Sequence, residues 1–309
     1  MINDEEIKTK VSPFAVRSGE IKVFDGKDGY VSMNQILQKI NKNQINDIHF
    51  EILRLLNKYE FLTSRQLFML LQLEKVDISD QDKVNRKLEQ LVKSKIITRY
   101  YFKSQDGSGI FRVYAMEKMG KYLLNSREID CKWQPSDNAK PAYMIKQKLA
   151  GNQLIVAYLR KVKAMKSFEL KPQITSKSYQ KIFKPIARVD FTYNNNSISF
   201  VYEVIRRNEG WEKALADRMK LWKDFYDNFV PMDSNFANVP QLVFVCEDER
   251  NMAEVFRVLV INNIFINQIN YYFTTDLLQN SENLEDTLFN FYEEEGKYKI
   301  KRVNAAILS

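Results

Sequence analysis

Histidine is almost missing: His49 is the only one in 309 residues. One imidazole builds neither a Cys/His zinc set nor the Ser-His-Asp or Cys-His arrangement of a nucleophilic hydrolase. His49 lies in an apolar-periodic stretch and reads as a packing residue. Cysteine is nearly as scarce. Cys131 and Cys246 stand far apart, which suits two free thiols in a reducing cytoplasm better than a disulfide. No run of about 18 apolar residues occurs, so no membrane span or membrane partner is expected. The opening MINDEEIKTK carries charge where a secretory signal needs an apolar stretch, so a cytoplasmic protein is expected. Any catalysis must rest on carboxylates, lysines or a hard metal.

Positive charge, by contrast, is plentiful and unevenly spread. The net charge is +8. Residues 141–188 hold eleven basic residues against Glu169 alone, and residues 83–103 hold seven against Glu89 alone. Acids gather instead near the end, at Glu282, Glu285, Asp286 and Glu293–Glu295. Two separate basic blocks point to a polyanion partner. With 45% hydrophobic residues, the chain has apolar mass for one large domain or two ordinary ones.

Residues 1–43 read as a mixed N-terminal arm without chemistry. From 44 onward the apolar residues fall at helical spacing. Ile45, Ile48, Ile52, Leu55 and Leu56 mark a first helix. Thr63, with Gln66 three residues on, caps a second over LTSRQLFMLLQL. A third spans about 79–94, with Val84, Leu88, Leu91 and Val92 inward and Lys83, Arg86, Lys87 and Gln90 outward. IITRYYFKSQDGSGIFRVYAM then alternates as a β-hairpin around Asp106–Gly109. Three helices and a hairpin over about 44–126 resemble the winged-helix DNA-binding family. That resemblance implies a third helix in the major groove of double-stranded DNA and wing residues Arg99, Lys103 and Arg112 against phosphates. It equally fits a homodimer on a palindromic site. The aromatics Tyr100, Tyr101, Phe102 and Phe111 of the wing could stack on bases.

Residues 127–142, with two prolines, read as a linker. The second domain, 143–278, opens with a helix whose basic flank includes Lys161 and Lys163, two further candidates for the DNA backbone. Strands and helices then alternate as an α/β core. Residues 279–309 read as an acidic C-terminal tail.

Within the second domain, FKPIARVDFTYNNNSISFVYEVIRR (183–207) reads as two strands about an asparagine turn. Asp190 on one strand and Glu203 on the next have the context of the PD-(D/E)xK nuclease superfamily, which this hairpin resembles. The resemblance implies a Mg²⁺ or Mn²⁺ ion between the two carboxylates and a lysine two residues after the second acid. Isoleucine, Ile205, occupies that lysine position, leaving Lys213 or Lys220 of the following helix to serve.

A wider resemblance covers about 44–278. ARVDFTY, FVYEVIRRNEGWEKALADRMKLWKDFYD, PQLVFVCEDERNMAEVFRVL and YYFTTDLL look like the replication-relaxation family of plasmids, phages and conjugative elements. Asp190 and Glu203 match its acids, Arg206 its arginine, Lys220 and Tyr226 its helix, and Thr274-Thr275 its last strand. Ile205 stands where that family often has aspartate. The expected architecture is α/β (α+β overall), a winged helix-turn-helix followed by a PD-(D/E)xK-like domain. The expected function is DNA binding in replication, transfer or transcriptional control of a mobile element, with a replication or transfer protein as partner. In that form the nuclease-like domain is a scaffold and no cofactor is needed. The alternative is a Mg²⁺-dependent endonuclease or nickase with Asp190 and Glu203 as ligands and Lys220 as the lysine.

Overall fold

The computed structural model describes residues 12–104, 111–231, 235–263, 271–295 and 297–309. Chain contacts divide it into two units, Val16–Arg160 and a second that joins residues up to Ala15 with Lys161–Ser309.

The first unit holds β1 (Ile21–Phe24), α1 (Met33–Asn41), α2 (Asp47–Tyr59), β2 (Phe61–Thr63), α3 (Ser64–Leu73), α4 (Gln81–Lys93), β3 (Ile97–Lys103), β4 (Arg112–Met116), α5 (Lys118–Asn125) and α6 (Ala142–Lys161). The Thr63–Gln66 capping box forms as its spacing predicts. Thr63 Oγ1 accepts from Gln66 N at 3.2 Å, and Gln66 Oε1 accepts from Thr63 N at 3.1 Å. On α4 the cap is Asp80: its carboxylate accepts from Lys83 N at 2.8 Å, while the Ser79 hydroxyl donates to Asp80 at 2.6 Å. The sheet runs β1-β3-β4-β2. The expected turn at Asp106–Gly109 lies outside the described residues.

Three expectations are corrected here. The arm at 1–43, read as a separate segment, joins the first unit's sheet over its described part, because β1 pairs antiparallel with β3 from Ile21↔Lys103 to Phe24↔Tyr100. Residues 127–142 are no free linker: Cys131 is buried, Asn138 donates to Met116 O at 2.9 Å, and Lys22 donates to Asn138 O and Lys140 O. Helix α6 was expected to open the second domain. It groups with the first unit because its polar side chains and backbone serve the α2–β2–α3 corner. Asn152 donates to Tyr59 O and Phe61 O, and Gln66 donates to Leu149 O, all while buried. Buried carbonyls need such donors.

The second unit holds β5 (Met165–Leu170), β6 (Ile174–Ser176), β7 (Lys181–Phe183), β8 (Ala187–Tyr193), β9 (Asn196–Val204), α7 (Trp211–Asp227), β10 (Gln241–Cys246), α8 (Glu249–Ile261), β11 (Tyr271–Thr275), β12 (Leu288–Glu294) and β13 (Lys297–Val303). Its main sheet runs β13-β12-β11-β10-β9-β8-β5. Strands β9, β10 and β11 are parallel, and the strands flanking them are antiparallel. Asn194 and Asn195, at φ 49° and 62°, make the two-residue β8–β9 turn. Asparagine tolerates this left-handed backbone, which matches the twist of a hairpin. The fully buried run LVFVC of β10 is what a central parallel strand requires. One sheet face packs against Trp222, Phe225 and Tyr226 of α7 and Val255, Phe256 and Leu259 of α8. These α7 aromatics are therefore core, with the Trp222 and Tyr226 rings stacked at 5.6 Å.

The acidic tail is also corrected. Strands β12 and β13 pair antiparallel as a hairpin at the sheet edge, from Leu288↔Val303 to Glu294↔Lys297. Phe291 lies flat on Phe256 of α8 at 4.0 Å, which fixes that face inward.

Candidate nucleic-acid interface

Helix α4 presents its charge as the periodicity predicts. Val84, Leu88, Leu91 and Val92 are buried; Lys83, Arg86 and Gln90 are exposed and Lys87 is half-buried. Burial lowers the Lys87 ammonium from its ordinary range. Lys83 stands 4.0 Å from Asp80, with both side chains about half exposed, so the pair neutralises little.

Gln90 has a second duty. Its Oε1 accepts from His49 Nε2 at 2.8 Å, while His49 Nδ1 accepts from Asn46 N at 3.0 Å. Burial holds this imidazole down, from 6.5 to about 4. A neutral buried histidine is protonated in the unfolded chain first, so its contribution to stability is present above pH ~6.5 and is lost as pH falls toward ~4. The expected loss is up to roughly 3 kcal/mol, about 1.4 per pH unit. Thermal unfolding of wild type and His49→Gln between these pH values checks it: the variant should show a flatter dependence, and parallel curves would refute the assignment.

The residues of β3 and β4 expected against phosphates differ from that expectation. Arg99 is mostly buried, its guanidinium 2.6 Å from Glu89 and 2.8 Å from Asp25. Arg112 also meets Asp25, at 3.0 Å. Asp25, next to β1 on the arm thought inert, thus engages two cations the sequence assigned to phosphate. Lys103 remains exposed at the end of β3. Tyr100 and Phe102 are buried core; Tyr101 and Phe111 line a cleft of about 720 Å³ with Arg99 and Arg112.

The basic block at 141–188 is thinned in the same way. Lys146 is buried against Glu20 at 2.7 Å, and Lys148 meets Glu60 at 3.1 Å. Lys161 donates to the carbonyl of Ser281 and serves as a tie within the second unit. Lys163, Lys166, Lys177, Lys181 and Lys184 are exposed.

Asp190 and Glu203 share a sheet face but are not brought together. Asp190 faces Ser199 across the β8–β9 ladder, and Glu203 lies from 199 to 203 farther along β9. At about 3.4 Å per residue the separation is roughly 13 Å. Oxygens sharing one magnesium ion must each come within about 2.1 Å of it. Arg188, opposite Val201, occupies the same face between them. Asp190 accepts from Arg188 Nε at 2.8 Å, Ser199 Oγ at 2.6 Å and Ser167 Oγ at 3.0 Å. Glu203 is buried, accepts from Trp222 Nε1 at 2.8 Å, and has Arg218 at 3.6 Å. Burial raises its pKa. Lys220 instead pairs with Asp217 at 2.9 Å on the exposed side of α7, and Lys213 is also exposed. The residues present do not fit a shared metal ion, and among the described residues no cluster of three or more His, Cys, Asp or Glu could hold one.

Sequence reasoning missed the charge network at the C-terminal ends of the parallel strands. Arg206, after β9, is buried and donates to Asp276, after β11, at 2.8 Å. Ser12 donates to the other Asp276 oxygen at 2.5 Å. Arg207 donates to Glu247, after β10, through its backbone N at 3.0 Å and Nε at 2.8 Å, and it also meets Asp248. The signal was present as an Arg-Arg pair and a Glu-Asp pair, each directly following an apolar strand.

Residues 53–188 match the replication-relaxation family. The matching segment begins within α2 and ends early in β8, so it spans α4, β3, β4 and α6. No curated protein matches the chain. Among solved structures, the restriction endonuclease FokI is 12% identical with a TM-score of 0.30, covering 75% of this chain and 42% of that one. FokI bound to DNA gives 12%, 0.28, 75% and 43%. The chain thus spans less than half the length of FokI. No described helix is long and apolar enough to cross a membrane.

Proposed function

We propose that this is a cytoplasmic DNA-binding protein of a mobile element, acting in replication or its control, whose first unit works as a winged helix. The observation that carries this reading is α4: Lys83, Arg86 and Gln90 exposed on the side opposite its buried residues, in the order α2, β2, α3, α4, then the paired strands β3 and β4. A helix of this kind fits the major groove, and its cations release counterions from the duplex. The match to the replication-relaxation family supports the biological setting. The second unit binds DNA or a partner without turnover in this reading, because Arg188 and the strand register separate Asp190 from Glu203.

Duplex titration over a range of salt, beside a plasmid-nicking assay with Mg²⁺ or Mn²⁺, tests both halves. Binding should weaken steeply with salt, and wild type and Asp190→Ala should leave supercoiled plasmid intact. Salt-insensitive binding refutes the first half. Metal-dependent cleavage lost in Asp190→Ala restores the endonuclease reading.

A further inference from the structure

The β12–β13 hairpin has two faces: one rests on α8, and the other is exposed beyond the buried Leu288. Phe289 and Phe291 on β12, with Ile300 and Tyr298 opposite them or beside them on β13, share the side that rests on α8 through Phe256. The other side carries Leu288, Asn290, Tyr292 and Glu294, facing Val303, Lys301, Lys299 and Lys297. Three lysines therefore stand on every second residue of the outermost strand, all exposed, with Tyr292 43% exposed beside them. Alternate residues of a strand are spaced by about 6.7 Å. Glu294 is the carboxylate on this face, and it is taken up by Lys299.

At the base of the same face lies a cleft of about 520 Å³. Gln241 pairs with Phe200, and Tyr272 with Val243, so these side chains lie on the sheet side shared by Leu288 and Val303. Phe200, Tyr272, Leu288 and Val303 line the cleft, with Gln241 and Asn304 among its polar groups and no charged residue in the lining. Phe200 and Tyr272 hold their rings 6.0 Å apart and 31° tilted. Among the described residues none donates to the buried Gln241 Oε1 atom, and a buried acceptor is costly unless something donates to it. Asp286, beside Asn304, is held by the amides of Asn283 and Asn304, each at 3.2 Å.

A row of cations leading to an uncharged aromatic cleft with an unmet acceptor suits a single-stranded nucleic acid. We propose that this face binds single-stranded DNA: Lys297, Lys299 and Lys301 take successive phosphates, and the cleft takes one unstacked base. Every base offers an N–H donor to Gln241 Oε1 and a flat surface to Tyr272. Lysines on an edge strand also block strand-to-strand association. That role alone accounts neither for the neutral cleft at the end of the row nor for the buried acceptor. The inference rests on the DNA reading for its class of polymer and uses different residues, all in the second unit.

Fluorescence anisotropy with a labelled single strand of about 16 nucleotides, and with a duplex of the same sequence, tests it on the full chain. The triple Lys→Gln change at 297, 299 and 301 should weaken single-strand binding at least tenfold and lower the salt slope by about 2, from ~0.7 per phosphate. Gln241→Leu should weaken it severalfold without changing the slope, with far-UV circular dichroism showing the fold retained. Changing Lys83, Arg86 and Lys87 should leave single-strand binding intact while duplex binding falls. Unchanged affinity and slope in the triple variant would reduce the lysines to edge protection and overturn the proposal. Equal losses for single strand and duplex, with Gln241→Leu silent, would overturn the base cleft. Failure of the α4 variant to affect duplex binding would refute the winged-helix reading alone.

Discussion

Replacing Arg206 by alanine is expected to destabilise the second unit by about 3–5 kcal/mol. The guanidinium and its partner Asp276 are almost wholly buried, with side chains 1% and 2% exposed. Removing the cation leaves a carboxylate inside the fold with, among the described residues, the Ser12 hydroxyl to support it. Burial already pushes the Asp276 pKa up, and Arg206 is the largest opposing influence. Without Arg206 it should rise further. A carboxyl whose folded pKa lies above its unfolded value opposes folding once ionised, so the deficit of the variant should shrink as pH falls through that folded pKa. Replacing both residues, Arg206→Met with Asp276→Leu, should recover most of the loss, since apolar pairs of similar size often substitute for buried ion pairs. Chemical denaturation of the three variants decides it. A loss below about 1 kcal/mol for Arg206→Ala would mean the pair is solvated and structurally incidental.

The second large effect concerns recognition. Changing Lys83, Arg86 and Lys87 together to alanine is expected to lower duplex affinity by roughly a hundredfold or more at low salt. Each phosphate contact contributes about 0.9 to the salt slope on duplex DNA, so the slope should fall by up to about 2.7. The helix itself should survive: Asp80 still caps it, and the four buried apolar residues are untouched. A residue bonded to a base should in addition flatten the sequence preference, at about 1–3 kcal/mol. Binding measured between about 50 and 200 mM salt on specific and scrambled duplexes separates these contributions. Unchanged affinity and slope would remove α4 from the interface.

How much of this was legible in the residues depended on range. The helices α2, α3 and α4 were readable because their apolar period and caps are local, and the β8–β9 turn was readable from its asparagines. Strands β1 and β2, of four and three residues, carry too few side chains to show alternation. They exist because β3 and β4 offer them ladders. The hairpin at 288–303 alternates well, but its glutamates drew attention to composition instead of period. Pairing gathers Glu293 and Glu294 near the turn and leaves the lysines in file.

The candidate site failed where function depended on register. Two carboxylates thirteen residues apart in a hairpin can meet only if the turn centres between them. Here the turn at Asn194-Asn195 sets Asp190 against Ser199. Similarly, nothing local says that Lys146 will find Glu20 or that Arg99 will find Asp25. Long-range pairs consume cations that a count along the chain treats as available, and the surviving charge is smaller and more localised.

Residues up to Ala15 group with Lys161–Ser309, so the first unit is spliced into the second as a cassette, with one junction on either side. A single cut at residue 160 would not release an intact C-terminal fragment, since it would carry off the Ser12 hydroxyl that meets Asp276. Dissection of this protein calls for a stitched construction that rejoins its opening residues to the piece starting at Lys161.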